Sequence, residues 1–340
     1  MPIPVIQTRL KLVYGVSGTD ITEDITPDLL DFSYEDKEKN EADEISVKLK
    51  DPDGKWAGSW QPNGGELVKA YILQGNVEKV EKKLYCGKFY IDELSCDGSP
   101  RTFTFKAVSI PLNCPIRKNL KNKAWEKYTL REIANRIATD ADMQLFFDCE
   151  NNPSYDRIDQ SKESDLKFLS RLCEEAGFSI KVTDDKIVIF DQNYYERKPP
   201  IKTITLNKDN ILSWSFSAQK SETYKTCTMS YHDPKQDKTF VYTYTDPLVD
   251  ENGQEYTMKE RATSLDEAKR LAKAKLRTLN ARKVTGSLTM VGDVTLVAGA
   301  VIGCKGFGSF DGNFIVENAS HKVGSGYTVS VELRRVNSQY

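Results

Sequence analysis

Residues 155–191 constrain the fold most strongly, because a helical period is followed directly by a strand period. One face of the first half is apolar at spacings of three and four, through Leu166, Leu169, Leu172, Cys173 and Ala176. Ser161 is the predicted N-cap, and Gly177 can adopt the left-handed conformation that ends a helix. Apolar and polar residues then alternate over 178–182, and 187–190 form a second β-prone run. The segment predicts a helix that leads into a β-hairpin in mid-chain.

The chain before this segment is rich in short β-prone runs. They cover residues 5–14, 30–34, 45–49, 68–73, 84–91 and 102–108. Turn-forming residues separate several of them, as in Asp51-Pro52-Asp53-Gly54. Short strands at this spacing, without helices between them, favour a sandwich or a small barrel, so residues 1–115 are predicted to form a first β domain.

A small α/β domain is predicted over residues 116–200. The basic and poorly patterned segment 114–123 marks its beginning, and Pro199-Pro200 its end. Thr129 and Glu132 have the spacing of a capping box, which predicts a helix over 130–141 before a strand at 143–147.

Residues 201–340 return to β-prone runs and are predicted to form a second β domain. The runs cover 201–206, 212–218, 225–231, 239–245, 285–290, 294–297, 301–305, 314–320 and 327–333. Between them, Ser264 and Glu267 open a predicted helix that reaches about Asn280, so that residues 264–281 form a helical connection. The overall fold class is therefore mainly β with α+β elements.

Composition excludes several classes of protein. No run approaches the roughly 20 apolar residues that a membrane-spanning helix needs, and the first residues lack a signal-peptide pattern, so synthesis in a cytoplasm is expected. Seven dispersed cysteines without a CxxC pair indicate reduced thiols. The formal net charge of −2 argues against general affinity for nucleic acid.

Charge is nevertheless unevenly distributed. Residues 20–53 contain thirteen acidic residues and four lysines, a net charge of −9, whereas residues 259–283 carry a net charge of +6. The two segments could be complementary, or each could be a solvated face.

No catalytic, cofactor-binding or metal-ligating residue is selected by the sequence. His232 and His321 have no cysteine or histidine at ligand spacing. The glycines at 303, 306, 308 and 312 precede another β-prone run rather than a helix, which indicates tight turns and not a phosphate-binding loop. Trp56, Trp60, Trp125 and Trp214 are interpreted as core or interface anchors.

Several segments resemble a known family. They include DITPDLLDFSYEDKEKNEADEISVKLKDPDGKWAGSWQPNGGELV, GKFYIDELSCDGSPRTFTFKAVS, WEKYTLREIANRIA and DRIDQSKESDLKFLSRLCEEAGFSIKV, together with the C-terminal GSLTMVGDVTLVAGAVIGCKGFGSFDGNFIVENASHKVGSGYTVSVEL. These segments resemble the bacteriophage late control D family, the baseplate hub proteins of contractile tails, and in particular the short hubs of Gram-positive phages and phage-tail-like particles.

The resemblance implies a structural virion component without enzymatic activity or cofactors. It implies a homotrimer in which two tube-like β-barrel modules per chain, separated by the small α/β domain, match a hexameric tail tube. The implied partners are the tail tube protein, the central spike protein and other baseplate proteins, with DNA passing through the lumen without specific binding and no direct membrane insertion. The chain ends at Tyr340 soon after its last β run, so no fused spike or peptidoglycan-cleaving domain is expected.

Two other functions remain open at this point, a tail-tip peptidoglycan hydrolase and a nucleic-acid-binding regulator. Location at the site of envelope penetration motivates the first, and the family's historical name motivates the second. A further expectation is that part of the acidic segment 20–53 faces the lumen and repels DNA; the alternative places these residues on the outer rim.

Overall fold

A computed structural model describes residues 7–39, 42–75, 80–110, 114–183, 185–219, 223–233, 237–247, 249, 251–262 and 264–336. The fold is mainly β, as predicted. Residues 5 and 6 of the first predicted strand lie outside the described ranges.

The first region contains β1 (Gln7–Tyr14), β2 (Thr19–Asp20), α1 (Thr22–Ile25), β3 (Leu29–Lys37), β4 (Glu44–Lys50), β5 (Leu67–Gly75), β6 (Val80–Asp97) and β7 (Thr102–Val108). The middle region contains α2 (Pro115–Lys118), β8 (Leu120–Thr129), α3 (Leu130–Asp140), β9 (Gln144–Asp148), β10 (Ser154–Ser164), α4 (Asp165–Ala176), β11 (Ser179–Val182), β12 (Lys186–Phe190) and α5 (Gln192–Glu196).

The third region contains β13 (Lys202–Thr205), β14 (Ile211–Ala218), β15 (Tyr224–Asp233), β16 (Lys238–Thr245), β17 (Gln254–Ala262), α6 (Leu265–Asn280), β18 (Val284–Val291), β19 (Val301–Lys305), β20 (Gly312–Val323) and β21 (Tyr327–Arg335). A single turn of 3-10 helix, Gly308–Phe310, lies between β19 and β20.

One large sheet runs through the first and third regions. Its strand order is β14-β18-β21-β20-β3-β4-β7-β6-β5-β1-β2, with β19 and β13 attached through β20. The two regions join where β20 pairs antiparallel with β3, from Asn318 opposite Lys37 to Val323 opposite Phe32. The path ends at β14 and at β2 without closing, so the described strands form an open sheet and no closed barrel.

The same strand order occurs twice in this sheet. The series β3-β4-β7-β6-β5-β1 corresponds to β14-β18-β21-β20-β19-β13, and every pairing is antiparallel except β13 with β19. Irregularities fall at matching places. The β3–β4 pairing skips Leu30 and the β14–β18 pairing skips Leu212, while Asp92 and Glu317 are skipped in the β6–β7 and β20–β21 pairings. The matching bulges fix a residue-by-residue correspondence between the two series.

The middle region confirms the predicted helix and hairpin. Helix α3 begins with the complete capping box of Thr129 and Glu132, and α4 ends at Gly177 with a φ of 77°. The two helices share one core with the sheet β11-β12-β9.

Some local predictions were wrong. The N-cap of α4 is Ser164 and not Ser161, because β10 stays paired with β8 as far as Ser164. The basic segment 114–123, interpreted as a domain boundary and given no helix or strand in the sequence analysis, forms α2 and the start of β8. Its pairing with β10 supplies the order that hydrophobic periodicity does not indicate. Residues 294–297 form turns rather than a strand, since the Asp293 carboxylate accepts hydrogen bonds from the backbone N–H and hydroxyl of Thr295.

Helix α6 has Ser264 as its N-cap, as predicted, and packs against the separate sheet β16-β15-β17. This unit has its own small core, formed by Cys227, Met229, Ala262, Ala268, Ala272 and Leu276. Among the described residues, no helix combines the length and apolarity that a bilayer crossing requires.

Replacement of Leu172 by alanine tests the core beneath α4. Leu172 is fully buried, so the truncation removes apolar contact and leaves a cavity, and unfolding of the middle region should become easier by about 2–5 kcal/mol. Lys167→Ala on the exposed side of the same helix is the control, with an expected change within about 0.5 kcal/mol. Urea unfolding followed by circular dichroism measures both. Equal effects of the two variants would contradict the assigned helix face.

Candidate functional site

The three regions meet at two buried groups of charged residues. In the first group, Lys181 on β11 places Nζ 2.9 Å from Asp36 Oδ1 and 3.1 Å from Asp43 Oδ2. The backbone N–H of Ala298 donates to Asp36 Oδ2 at 2.9 Å. Asp36 lies at the end of β3, Lys181 in the middle region and Ala298 in the third. This group therefore connects all three regions through one carboxylate.

The second group surrounds Arg334 on β21. Arg334 is only 3% exposed. Its Nη1 lies 2.8 Å from Glu196 Oε1, and its Nε lies 3.1 Å from Glu317 Oε1. Arg277 of α6 also approaches Glu196 Oε1, at 2.9 Å. Glu196 at the end of α5 thus receives two guanidinium groups from the third region.

The first region reaches this second group through Glu38 and Lys39. Gln192 Nε2 donates to Glu38 Oε1 at 2.6 Å, and Lys39 Nζ donates to Gln192 Oε1 at 3.0 Å. Arg334 Nη2 lies 3.9 Å from Glu38 Oε1. Alternating charges from remote parts of the sequence thereby fix the three regions against one another.

Burial shifts the titration of these groups. It raises the pKa of the Glu38 and Asp43 carboxyls and lowers the pKa of Lys39. Burial also disfavours the charged form of Lys181, but the carboxylates of Asp36 and Asp43 outweigh it and raise the Lys181 pKa above its usual value. The charged form of Lys181 is therefore favoured by carboxylates of another region, whereas burial favours the neutral forms of Glu38, Asp43 and Lys39.

His321 lies at the joint between the first and third regions. It is fully buried on β20, opposite Tyr34 of β3, and its ring stacks 5.9 Å from the Tyr34 ring. Its Nδ1 lies 2.8 Å from the hydroxyl of Tyr327. Burial lowers the His321 pKa. The other histidine, His232, is on β15 of the small sheet, so the structure does not bring the two together.

The remaining residues singled out from the sequence occupy structural positions. Of the glycine cluster, Gly306 and Gly308 lie in the turn between β19 and β20, with a φ of 90° at Gly306. Gly303 lies within β19 and Gly312 begins β20, so a strand follows as predicted. Trp56 and Trp125 are buried, whereas Trp60 and Trp214 are about half exposed. Within the described ranges, no group of three or more histidine, cysteine or acidic residues could hold a metal ion.

The acidic segment 20–53 is divided between interior and surface. Asp36, Glu38 and Asp43 are buried in the two charged groups. Asp51 is also buried, and its carboxylate accepts the backbone N–H groups of Trp56 and Ala57. These four carboxylates are thus internal, and Glu41 lies outside the described ranges. Sequence reasoning missed the internal role because a high local charge is typical of a solvated surface.

Replacement of Lys181 by methionine tests the first charged group. It leaves Asp36 and Asp43 buried without their cation, so the free energy of unfolding should fall by roughly 3–5 kcal/mol at pH 8. The pKa of Asp43, already raised by burial, rises further in the variant, so protonation should reduce the loss as the pH falls toward 5. Denaturant unfolding at both pH values measures this.

The exposed Lys186 of the neighbouring strand provides the matched control, Lys186→Met. The double variant Lys181→Met/Asp43→Asn should recover part of the loss, because one buried charge is removed. A loss that does not change with pH would contradict the assigned ion pair.

His321 should make the protein less stable in weak acid. Its folded-state pKa is lowered, so below about pH 6.5 the unfolded chain binds a proton that the folded chain refuses. Stability should therefore fall with decreasing pH by up to about 1.4 kcal/mol per pH unit relative to His321→Gln. Glu38 and Asp43 shift stability in the opposite direction in both proteins, so the difference between them isolates the histidine. Equal pH profiles from 7.5 to 5.5 would contradict this.

Known phage tail proteins resemble this chain in sequence and in fold. The phage tail baseplate hub (GPD) family matches residues 90–327. A probable baseplate hub protein of Escherichia phage P2 is 30% identical over 178 residues, which cover 51% of this chain and 43% of that protein. The probable baseplate hub protein of Escherichia phage 186 is 25% identical over 233 residues, which cover 66% of this chain and 58% of that protein.

The chain thus aligns with about half of the length of these two curated relatives. The fold is also similar to the crystal structure of a 43 kDa tail protein of prophage MuSo2 from Shewanella oneidensis. The TM-score is 0.74 at 12% identity, over 98% of this chain and 99% of that one. The resemblance in sequence is confirmed: this chain belongs to the phage tail baseplate hub family.

Proposed function

We propose that this chain is the structural hub of a contractile-tail baseplate, a trimeric adaptor between the hexameric tail tube and the central spike. The observation that carries the proposal is the strand order that occurs twice in the large sheet, with bulges at matching places. A chain with two similar modules presents six of them as a trimer, which matches a sixfold partner while leaving threefold symmetry for a spike.

In this proposal, residues 1–115 and 201–340 are the two tube-like modules, and residues 116–200 form the small domain between them. The charged groups around Lys181 and Arg334 hold that domain against both modules. Rigid placement of the modules matters because a ring closes only when each copy turns through the same fixed angle.

The proposed partners are the tail tube protein, the central spike protein and other baseplate proteins. The hub would act within the tail of a virion or phage-tail-like particle, after synthesis and assembly in the bacterial host cytoplasm. It performs no reaction in this scheme, so puncturing and cell-wall cleavage belong to partner proteins.

One face of the large sheet suits the wall of a channel. Serine residues of β14 alternate with Trp214 and Phe216, whose rings pack against Phe307 on the opposite face. Hydroxyl side chains continue across the neighbouring strands at Ser287, Thr289, Thr328, Ser330 and Ser320. Charged residues share this face: Glu332 lies opposite Ser287, Lys322 opposite Thr328, and Glu35 of the acidic segment opposite Ser320. A face of hydroxyls and carboxylates with few cations gives a passing polyanion little to bind. We propose that this face, which includes part of the acidic segment, lines the lumen through which DNA passes without specific binding.

The oligomeric state tests the hub assignment. The purified chain should show the mass of three copies at high concentration, or when the tail tube subunit is present, because edge strands of the open sheet remain available for pairing. Mass photometry and analytical ultracentrifugation measure this. A monomer under both conditions would contradict the proposal.

Two further assays separate the competing functions. Sustained release of soluble peptidoglycan fragments by the purified chain would contradict a purely structural role. Salt-sensitive DNA binding tighter than about micromolar would contradict passage without binding, since nonspecific affinity of that kind comes from clustered cations.

A further inference from the structure

We propose that neighbouring copies join by pairing β14 of one chain with residues 92–97 of β6 in the next. The pairing repeats the one that β3 and β20 make inside a single chain. It rests on the proposed trimeric hub and adds the strands and register through which the ring closes.

The first observation is that two equivalent strands, β20 and β6, differ in how many strands they pair with. β20 pairs with β21 along its length, with β19 through residues 312–315 and with β3 through residues 318–323. Its equivalent, β6, pairs with β5 through residues 80–90. Beyond Asp92, β7 is its single partner among the described strands. Residues 92–97 therefore present a free edge at the place where β20 receives β3.

The same imbalance occurs on the other side of the joint. β3 pairs with both β4 and β20, whereas its equivalent β14 has β18 as its single partner among the strands that the structure describes and ends the sheet. Each chain thus carries one filled joint, β3 with β20, and the two separate halves of a second joint of the same kind. A free strand edge is a template for another chain.

Burial distinguishes the filled joint from the empty one. Phe32 of β3 is fully buried, but the equivalent Trp214 of β14 is 48% exposed. His321 of β20 is fully buried, whereas the equivalent Cys96 of β6 is the exposed member of the seven cysteines. Large or apolar side chains are therefore exposed where the lone chain lacks the neighbouring strand, as expected for an interface core.

The bulges fix the register of the missing joint. Inside the chain, Ser320 lies opposite Glu35, and His321 lies opposite Tyr34. The equivalent pairs between copies are Ser95 opposite Ser217 of the next copy, and Cys96 opposite Phe216 of the next copy. The serine pair lies on the polar face and the Cys96 pair on the apolar face, so each face of the sheet continues across the boundary.

Closure of the ring follows from the use of two different surfaces. Each copy offers β14 to one neighbour and receives β14 of the other neighbour on β6, which is a heterologous contact. Three copies then have six joints of one kind, three within chains and three between them. The second copy of this chain is thus the occupant of both free edges.

Disulfide trapping tests the register directly. Ser95→Cys and Ser217→Cys are combined in a Cys96→Ser background, in the full-length chain. Directly opposed residues have Cα atoms about 4.5–5.5 Å apart, within disulfide range, so mild oxidation should convert most chains to a covalent trimer on a non-reducing gel. The matched control combines Ser95→Cys with Ser215→Cys and retains Ser217. Its cysteines are offset by two residues, so it should stay largely uncrosslinked.

Native Cys96 gives a second readout without any substitution. Maleimide should label it readily in dilute monomer and at least several-fold more slowly in the trimer, because its equivalent His321 is fully buried. A trimer that neither crosslinks nor protects Cys96 overturns this joint but leaves the hub assignment standing. Crosslinked products that continue beyond three chains overturn the closed ring. A chain that forms no oligomer contradicts the hub assignment and the joint together.

Discussion

The pairing of β20 with β3 is the interaction on which the rest of the structure depends. It joins strands that are about 285 residues apart in sequence and makes one sheet from the first and third regions. The backbone ladder is reinforced by the His321–Tyr34 stack and by a hydrogen bond from Ser320 to Glu35. Because the ladder fixes both position and direction, the angle between the two strand series is set within each chain.

The charged groups add the middle region to this frame. Asp36, at the end of β3, binds Lys181 from the middle region and the backbone N–H of Ala298 from the third. Glu196 binds arginines from α6 and β21. Buried ion pairs contribute little net stability, whereas removal of one partner is costly. In the proposed ring, which requires modules at fixed angles, a unique arrangement of the regions matters more than a large free energy of unfolding.

Local signals in the sequence predicted much of the fold. Thr129 with Glu132, Ser264 and Gly177 marked helix ends correctly, since capping depends on residues a few positions apart. Strands β8 and β10 escaped prediction because they form a largely exposed two-stranded ribbon without clear alternation. The junction could not be predicted, because Lys181 and Asp36 are 145 residues apart and no local pattern pairs them. The sequence predicted that the first and third regions are both β domains, but it did not predict their shared strand order. The matching bulges at Leu30 and Leu212 appear only in the pairing register.

The central claim is that two strand series in each chain form equivalent positions around a ring. Cryo-electron microscopy of the assembled protein tests it most directly. The proposal predicts a threefold ring of six β modules, in which joints within and between chains alternate and have the same strand register. A particle in which first and third regions do not alternate around the axis, or in which β14 faces solvent, would contradict the account.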